Sequence, residues 1–475
     1  MRPVLLVAAV FWVALAGCGK SPSPEVIILH SGRMRGNVYP LSLQGIAPLQ
    51  HYPYLAGYIR KVRAEAGRTG ARVFVVDLGD SMDGSFAAHV TGSQNMTAFF
   101  NAAGYDAILL SNLDARVPAK ALEGLHAKVL SPFELASGGG FPAAQKFDKE
   151  GIGIFLLSNF YGETTVEEQP GRFPTRFGAD RQSVRPVRDY GKAIAGVGPR
   201  DPGALTLFSW MKFEPSSEPP SGFLSRLRGH QVDAILAHRI YSRDEREAWD
   251  SSGFANWAPP ASVNILRNNG GFALARIDLA RKGGAWTVLR HEVLPMTANV
   301  AEADPDVVSV IEKFADEISK ADQPVLSLSE PVGAGDVLNI YLGALTTLPG
   351  TQAVAYSPES IRAGWEPGLL RASTLFESLP WTDALVQILV EKSSLASLNG
   401  LGGLRVAVRD SAGDGPLRLT TSRFFADLIL GQPALAGAKV AAEPAPSEFD
   451  FFRSHLEALG ELPAPALPPG WSLLP

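Results

Sequence analysis

The feature that most constrains this chain is an alternation of short apolar runs with helical spacings, in which the runs end on polar residues. Val26-Ile27-Ile28-Leu29 reads as a buried strand, and Tyr54 to Ala66 has the spacing of a helix. Val73-Phe74-Val75-Val76 is a second strand, which runs into Asp77-Leu78-Gly79-Asp80. Strand, helix and strand in that order imply an α/β layer. The alternation continues with a helix around Met96 to Ala103 and a strand at Ala107 to Leu110 that leads into Ser111-Asn112. Further apolar runs lie at Ala204 to Phe208, Ala234 to Leu236 and Phe272 to Leu279. In layered sheets of this kind the polar residues just beyond the strand ends gather on one edge, where ligands bind, so Asp80, Asn112 and His238 are expected to be neighbours.

The amino terminus carries a different signal. Arg2 supplies a positive start, Val4 to Leu15 form an apolar stretch, and Leu15-Ala16-Gly17-Cys18 closes it in a pattern that resembles the lipobox of bacterial lipoproteins. A run of roughly a dozen apolar residues is shorter than the ~20 that a spanning helix needs, which favours a signal segment over an anchor helix. Cys18 is the only cysteine, so disulfides and cysteine-rich metal sites are excluded, and lipidation at Cys18 is the expected use of its thiol. Residues 1–17 are then a signal peptide and 18–25 a tether stiffened by Pro22 and Pro24. The expected location is the cell envelope, on the outer membrane or the periplasmic face of the inner membrane.

With 475 residues and 46% hydrophobic content the chain exceeds what one domain usually holds. A net charge of −5 argues against a nucleic-acid partner, because phosphate-binding proteins of that kind collect a basic excess.

Three segments carry a family resemblance. Leu29-His30-Ser31-Gly32-Arg33-Met34-Arg35-Gly36 resembles the first metal loop of the bacterial 5'-nucleotidase and UDP-sugar hydrolase family, where the pattern is His-Thr-Asn-Asp-x-His-Gly. Val76-Asp77-Leu78-Gly79-Asp80-Ser81 is similar to that family's Asp-x-Gly-Asp segment, and Asn101 to Ala107 to its Asn-x-x-Gly-Tyr-Asp-Ala run. The resemblance spans residues 26 to 430. It implies a four-layer α/β/β/α metallophosphoesterase-like domain at 26–300, a linker helix within 301–325, and a smaller α/β 5'-nucleotidase C-terminal-like domain at 326–440. Residues 441–475 are read as a Pro-rich tail, in which Phe451 to His455 start a short helical pattern and Pro463 to Pro475 are extended.

The same alignment shows which chemical positions have changed. Family members hold two divalent metals that activate water and polarise a phosphoester. Here the Asp and His of the first loop align with Arg33 and Arg35, and the catalytic His that follows the family's Asn aligns with Leu113. Asp80, Asn112 and His238 match remaining ligand positions, whereas Trp210 and Ile240 stand where two further ligands are expected. A guanidinium within ~5 Å of a divalent ion costs several kcal/mol at an effective dielectric near 20, so the two arginines oppose the first metal. Arg33 or Arg35 is expected to take the missing ion's place beside Asp80. Asp80 can instead be a cap, Asn112 a turn residue, His238 a satisfied histidine, and the arginines a solvated face.

In the second half, Asp304-Pro305-Asp306 caps a helical stretch from Val307 to Ile318. Ile361 and Arg362 match the end of the family's Asn-x-Gly-Gly-Ile-Arg segment, while both glycines are replaced. Trp381 stands at the aromatic position of its Leu-Pro-Phe-Gly-Asn segment, which in relatives stacks on the nucleobase. Alternatively Trp381 is a core aromatic and Arg362 pairs with a carboxylate.

Three functions stay open on these residues. One is a pseudoenzyme that binds a nucleotide or another phosphorylated or anionic ligand through Arg33, Arg35, Arg362 and Trp381, or docks an envelope partner. Another is a residual phosphoesterase with one divalent ion, Zn, Mn or Mg, on Asp80, Asn112 and His238. The last is a structural envelope lipoprotein without a ligand.

Overall fold

The structure is a computed structural model. It describes residues 23–38, 51–111, 114, 117–135, 140–160, 176–177, 182–186, 201–210, 232–237, 257–258, 273–401, 403–432, 435, 437–442 and 447–474. Cys18, Asn112, Leu113, His238 and Ile240 lie outside the described residues.

The first domain opens with β1 (Val26–Ser31), α1 (His51–Thr69), β2 (Arg72–Asp77), α2 (Phe86–Thr91), α3 (Gln94–Ala103), β3 (Ala107–Leu109), α4 (Ala119–Glu123) and β4 (Lys128–Leu130). It continues with β5 (Phe133–Leu135), β6 (Ala144–Lys149), β7 (Ile152–Phe160), β8 (Arg176–Phe177), β9 (Gln182–Pro186), β10 (Leu205–Trp210), β11 (Ala234–Ala237), β12 (Trp257–Ala258), β13 (Ala273–Lys282) and β14 (Ala285–Pro295). One sheet has the order β14-β13-β1-β2-β3-β4, a second β12-β11-β10-β7-β6, and β5, β9 and β8 form a small third.

Strand alternation explains the layering. Ile28, Phe74, Val76 and Leu109 point to one face of the first sheet and meet Ile154, Leu156, Leu205, Leu207 and Leu236 of the second. Leu29, Val75 and Ile108 point to the other face and meet Leu55, Ile59 and Val62 of α1 with Phe99 and Phe100 of α3. Because both faces are covered, the strands read as continuous apolar runs. The described layers are therefore helix, sheet and sheet, in the expected order. The parallel strands β1, β2 and β3 all point their carboxyl ends to one edge, which brings the loops after them together.

A long helix, α5 (Pro305–Ala321), leads out of this domain. Asp304 caps it by accepting from the N–H groups of Asp306 and Val307, and Pro305 fills a position where no N–H is needed. The second domain follows with β15 (Pro324–Leu328), α6 (Ala334–Leu345), β16 (Ala353–Tyr356), β17 (Gly368–Arg371), α7 (Ala372–Ser378), β18 (Leu385–Glu391), β19 (Arg405–Arg409), β20 (Pro416–Ser422), α8 (Arg423–Leu430), β21 (Lys439–Ala442), α9 (Glu448–Leu459) and β22 (Trp471–Leu473). Its main sheet has the order β21-β18-β20-β16-β19-β22, and β15 pairs with β17. Residues 441–475 do more than trail from the fold. Phe449, Phe452 and Leu456 of α9 are buried in the second core, and β22 pairs with β19 at the sheet edge. The helical pattern read at Phe451 to His455 is the middle of an amphipathic helix, α9, that packs into the second core.

The two domains share side chains. Phe86 and Ala87 of α2 belong to the second domain's core. The Phe86 ring lies 6.0 Å from Phe376 and 6.3 Å from Phe449, and His89 stacks on Phe376 at 5.2 Å. Among the described residues no helix is long and apolar enough to cross a membrane.

Candidate functional site

The loops after β1 and β2 continue the strand pairing beyond the sheet. Leu78 N–H donates to Ser31 O, Arg33 N–H to Gly79 O, Arg35 N–H to Asp80 O and Gly36 N–H to Ser81 O, all at 2.8 to 2.9 Å. This zipper holds three side-chain-bearing residues in left-handed conformations, Arg33 at φ 59°, Arg35 at φ 50° and Asp80 at φ 56°. Such conformations cost on the order of 1–3 kcal/mol each and persist only where the surroundings over-determine them. Gly36 ends the first loop at φ 74°, where an added Cβ would sit 2.4 Å from Ala88 Cβ, so no other residue fits.

Two buried carboxyl groups organise the loops from beneath. Asp114, fully buried, accepts from Asp80 N–H (2.9 Å), Ser81 N–H (3.2 Å), Met82 N–H (2.9 Å) and Ser111 N–H (2.9 Å). It thus ties the loop after β2 to the end of β3. Asp77 accepts from Gly79 N–H at 2.9 Å and from Ser31 Oγ at 2.8 Å, and Ser31 Oγ in turn meets Tyr105 Oη at 2.8 Å. Burial pushes Asp77 up to about 7 against these hydrogen bonds, and burial with the neighbouring Asp80 carboxylate does the same to Asp114.

At this edge the structure brings together Arg33, Arg35 and Asp80. Arg33 is 9% exposed and Asp80 is 8% exposed. Asp80 Oδ1 is buried and has no hydrogen-bond partner among the described residues. The direct ion pair expected between Asp80 and an arginine is not among those the described residues form. The zipper places their backbones side by side. His30, at the end of β1, is completely buried.

Arg33 and Arg35 do not fit the role of metal ligands. Arg33 and Arg35 offer only hydrogen-bond donors where ligands with lone pairs are required. Among the described residues no group of three or more His, Cys, Asp or Glu is gathered to hold an ion. Asn112 and His238, the other expected ligands, lie outside the described residues.

The second-domain pair is built differently. Arg362 N–H donates to Ser378 O at 2.9 Å, and Trp381 Nε1–H donates to Ser360 O at 3.0 Å. The Arg362 guanidinium carbon lies 5.1 Å from the Trp381 ring centroid, a cation–π stack. A separate cavity of about 790 Å³, lined by Leu326, Leu328, Glu330, Asp336, Leu369 and Leu462, contains neither pair.

Several influential residues are hard to see in the sequence. The Asn101 to Ala107 motif is structural: Asn101 Nδ2 donates to Gly124 O at 2.9 Å and Asp106 accepts from Val75 N–H at 2.8 Å. Asp114 is visible only as an acidic residue near Asn112, and its four-donor role needs the fold. Glu377, on α7, is pushed up to about 8 by burial and by Asp322, and no periodicity marks it. Burial among the aromatic rings lowers the His89 pKa, opposed by Asp450, whose Oδ1 lies 4.0 Å from Nε2, and by Asp83.

A two-sheet α/β domain with its loop edge after β1, β2 and β3, joined by a helix to a smaller mixed-sheet domain, is the two-domain α/β fold of the 5'-nucleotidases. Similar solved structures include a 5'-nucleotidase precursor from Thermus thermophilus, with TM-score 0.61 and 16% identity over 92% of this chain and 97% of that one. The 5'-nucleotidase from Candida albicans matches with TM-score 0.56 and 14% identity over 92% of this chain and 98% of its own. The Thermus thermophilus sulfate thiohydrolase SoxB matches with TM-score 0.57 and 14% identity over 92% and 95%. No protein-family model matches the sequence, and no curated protein matches it. At these identities the likeness establishes the fold.

Proposed function

We propose that this chain is an envelope lipoprotein, anchored through Cys18, that uses the nucleotidase scaffold to bind a phosphorylated or otherwise anionic small molecule without hydrolysing it. What carries this reading is the loop pair in which Arg33 and Arg35 stand where the resemblance expects metal ligands, with Arg33 almost wholly buried beside the Asp80 loop. Arginine is the residue best suited to bind an oxyanion directly, because its planar fork matches two oxygens at once. The fold by itself does not choose a reaction, since one similar structure is a 5'-nucleotidase and another a sulfate thiohydrolase.

The first test is metal content and turnover of 5'-AMP and an aryl phosphate with added Mn²⁺ or Zn²⁺, followed by nucleotide titration. We expect no stoichiometric metal, no turnover, and saturable binding. The second reading, a one-ion phosphoesterase, is favoured by the buried Asp80 Oδ1, which lacks a hydrogen-bond partner among the described residues. Bound metal with turnover that disappears in Asp80→Ala would establish that reading and end the first.

A further inference from the structure

The second domain leaves one strand edge open. β15 pairs with β17 alone, and among the described residues no further strand joins that two-stranded ribbon. Every residue from Pro324 to Val332 lines the cavity of about 790 Å³, so β15 and the turn after it run along it over their whole length. The segment that follows α9 supplies further lining. There Gly460, at φ 68°, turns the chain, and Glu461 and Leu462 face the same space.

From Pro324 to Pro331 the main chain is engaged in the β15–β17 ladder and in no other hydrogen bond among the described residues. A strand paired on one side leaves the N–H and C=O groups of its other edge to water or to an added strand. The lining around that edge has two chemical parts. Leu326, Leu462 and Leu369 are apolar, and Leu369 is 49% exposed. Glu330, Asp336 and Glu461 are the ionisable groups, and no Lys, Arg or His lines the cavity. Asp336 has a local use in the first turn of α6, where the helix N-terminus favours negative charge. Glu330 and Glu461 are exposed and form no ion pair among the described residues.

These features select the occupant. An open strand edge suits an extended main chain, the leucines suit apolar side chains on every second residue of it, and the carboxylates suit cations at its ends. A second copy of β15 would bring the same carboxylates with it, and facing like charges oppose that pairing.

We propose that this groove docks an extended segment of another protein as a strand added to β15, with apolar side chains over Leu369 and Leu462 and a Lys or Arg beside Glu330 and Glu461. This docking face lies in the second domain and stands independently of the anion-binding reading of the Arg33 loop.

The experiment is fluorescence anisotropy of the full chain with labelled peptides of about seven residues, matched to the five of β15. Their cores alternate valine, leucine or isoleucine with threonine, and each core is flanked either by lysines or by glutamates. Lysine-flanked peptides are expected to bind at least about tenfold tighter than their glutamate-flanked counterparts at low salt, with the difference shrinking as salt screens the charges. The double variant Glu330→Gln with Glu461→Gln is expected to weaken the lysine-flanked peptides by about three- to tenfold and to leave the glutamate-flanked ones no weaker. N-methylation of alternate core residues is expected to abolish binding in one alternating set and spare it in the other, because only every second N–H points to the neighbouring strand. Circular dichroism of the variant confirms its fold.

Equal binding of lysine- and glutamate-flanked peptides would overturn the proposal, as would unchanged affinity in the folded double variant. Equal tolerance of both N-methylated sets would overturn strand addition. A dimer in sedimentation velocity that excludes the peptides would assign the groove to a second copy and overturn it as well. Failure of every lysine-flanked peptide to bind up to about 1 mM ends the proposal and leaves the anion-binding reading untouched.

Discussion

At the ends of β1 and β2, backbone hydrogen bonds and a buried carboxylate hold three residues in left-handed conformations. At Arg362 and Trp381 two side chains hold each other. In the first region the main-chain cradle is over-determined from beneath, and it displays two arginines beside the Asp80 loop. In the second, the arginine and the indole are stacked on a frame of hydrogen bonds between two chain segments. Strain is held by the main chain in the one region and side-chain geometry by a pairwise contact in the other.

The largest effect that would break this comparison is expected from Asp114→Ala. It strands four backbone N–H groups, and buried unsatisfied donors cost about 1–3 kcal/mol each, so a loss of at least about 3 kcal/mol is expected in denaturant unfolding. A loss below about 1 kcal/mol would mean the zipper with the Arg33 loop suffices to hold Asp80.

A second, smaller effect separates the domains by pH. Asp77 and Asp114 titrate at about 7 in the folded chain and Glu377 at about 8, all raised chiefly by burial. Between the ordinary carboxylate range and these values the folded state binds more protons than the unfolded state. Stability therefore falls as pH rises through that window, by on the order of 2 kcal/mol or more between pH 5 and 8.5. Thermal unfolding across that range should show it. Glu377→Gln should flatten the part near pH 8 and Asp77→Asn the part near pH 7. Stability that rises with pH over this window would contradict the assignment.

The smallest effect is expected from Trp381→Leu, which removes one hydrogen bond and one cation–π contact at a partly exposed site. A loss of about 1–2 kcal/mol is expected, without a change in the pH profile. A larger loss would make the indole primarily a core residue and sharpen its difference from the loop pair.

Strand and helix positions in the first domain are legible in the sequence because both faces of its main sheet are covered. Val26 to Leu29 and Val73 to Val76 can be nothing but buried strands, and Leu55, Ile59 and Val62 mark one helix face. The juxtaposition of Arg33 and Arg35 with Asp80 is legible from the motif spacing and the parallel order. The left-handed conformations are not, since arginine and aspartate give no local sign of them and only the zipper enforces them. Asp114's role is hidden for a related reason: its partners are main-chain N–H groups, which carry no sequence signature. The stack of Arg362 on Trp381 joins residues nineteen positions apart whose meeting depends on how the turn after β16 docks on α7. Helix α9 is legible as a helical pattern at Phe451 to His455, whereas its burial in the second core is not.

Helix α2 lies in the first half of the chain, yet Phe86 and Ala87 are part of the second domain's core, and Ser85, its cap, donates to Gly36 O at 2.8 Å. The unit of inheritance is therefore not the unit drawn by the linker helix. A chimera that exchanges everything after α5 for the corresponding half of a similar protein would leave Phe86 and His89 facing a surface shaped for other side chains. Exchanging α2 as well would carry the mismatch back to the Arg33 loop through Ser85. Recombination within this fold is constrained to cut elsewhere, or to move both halves together.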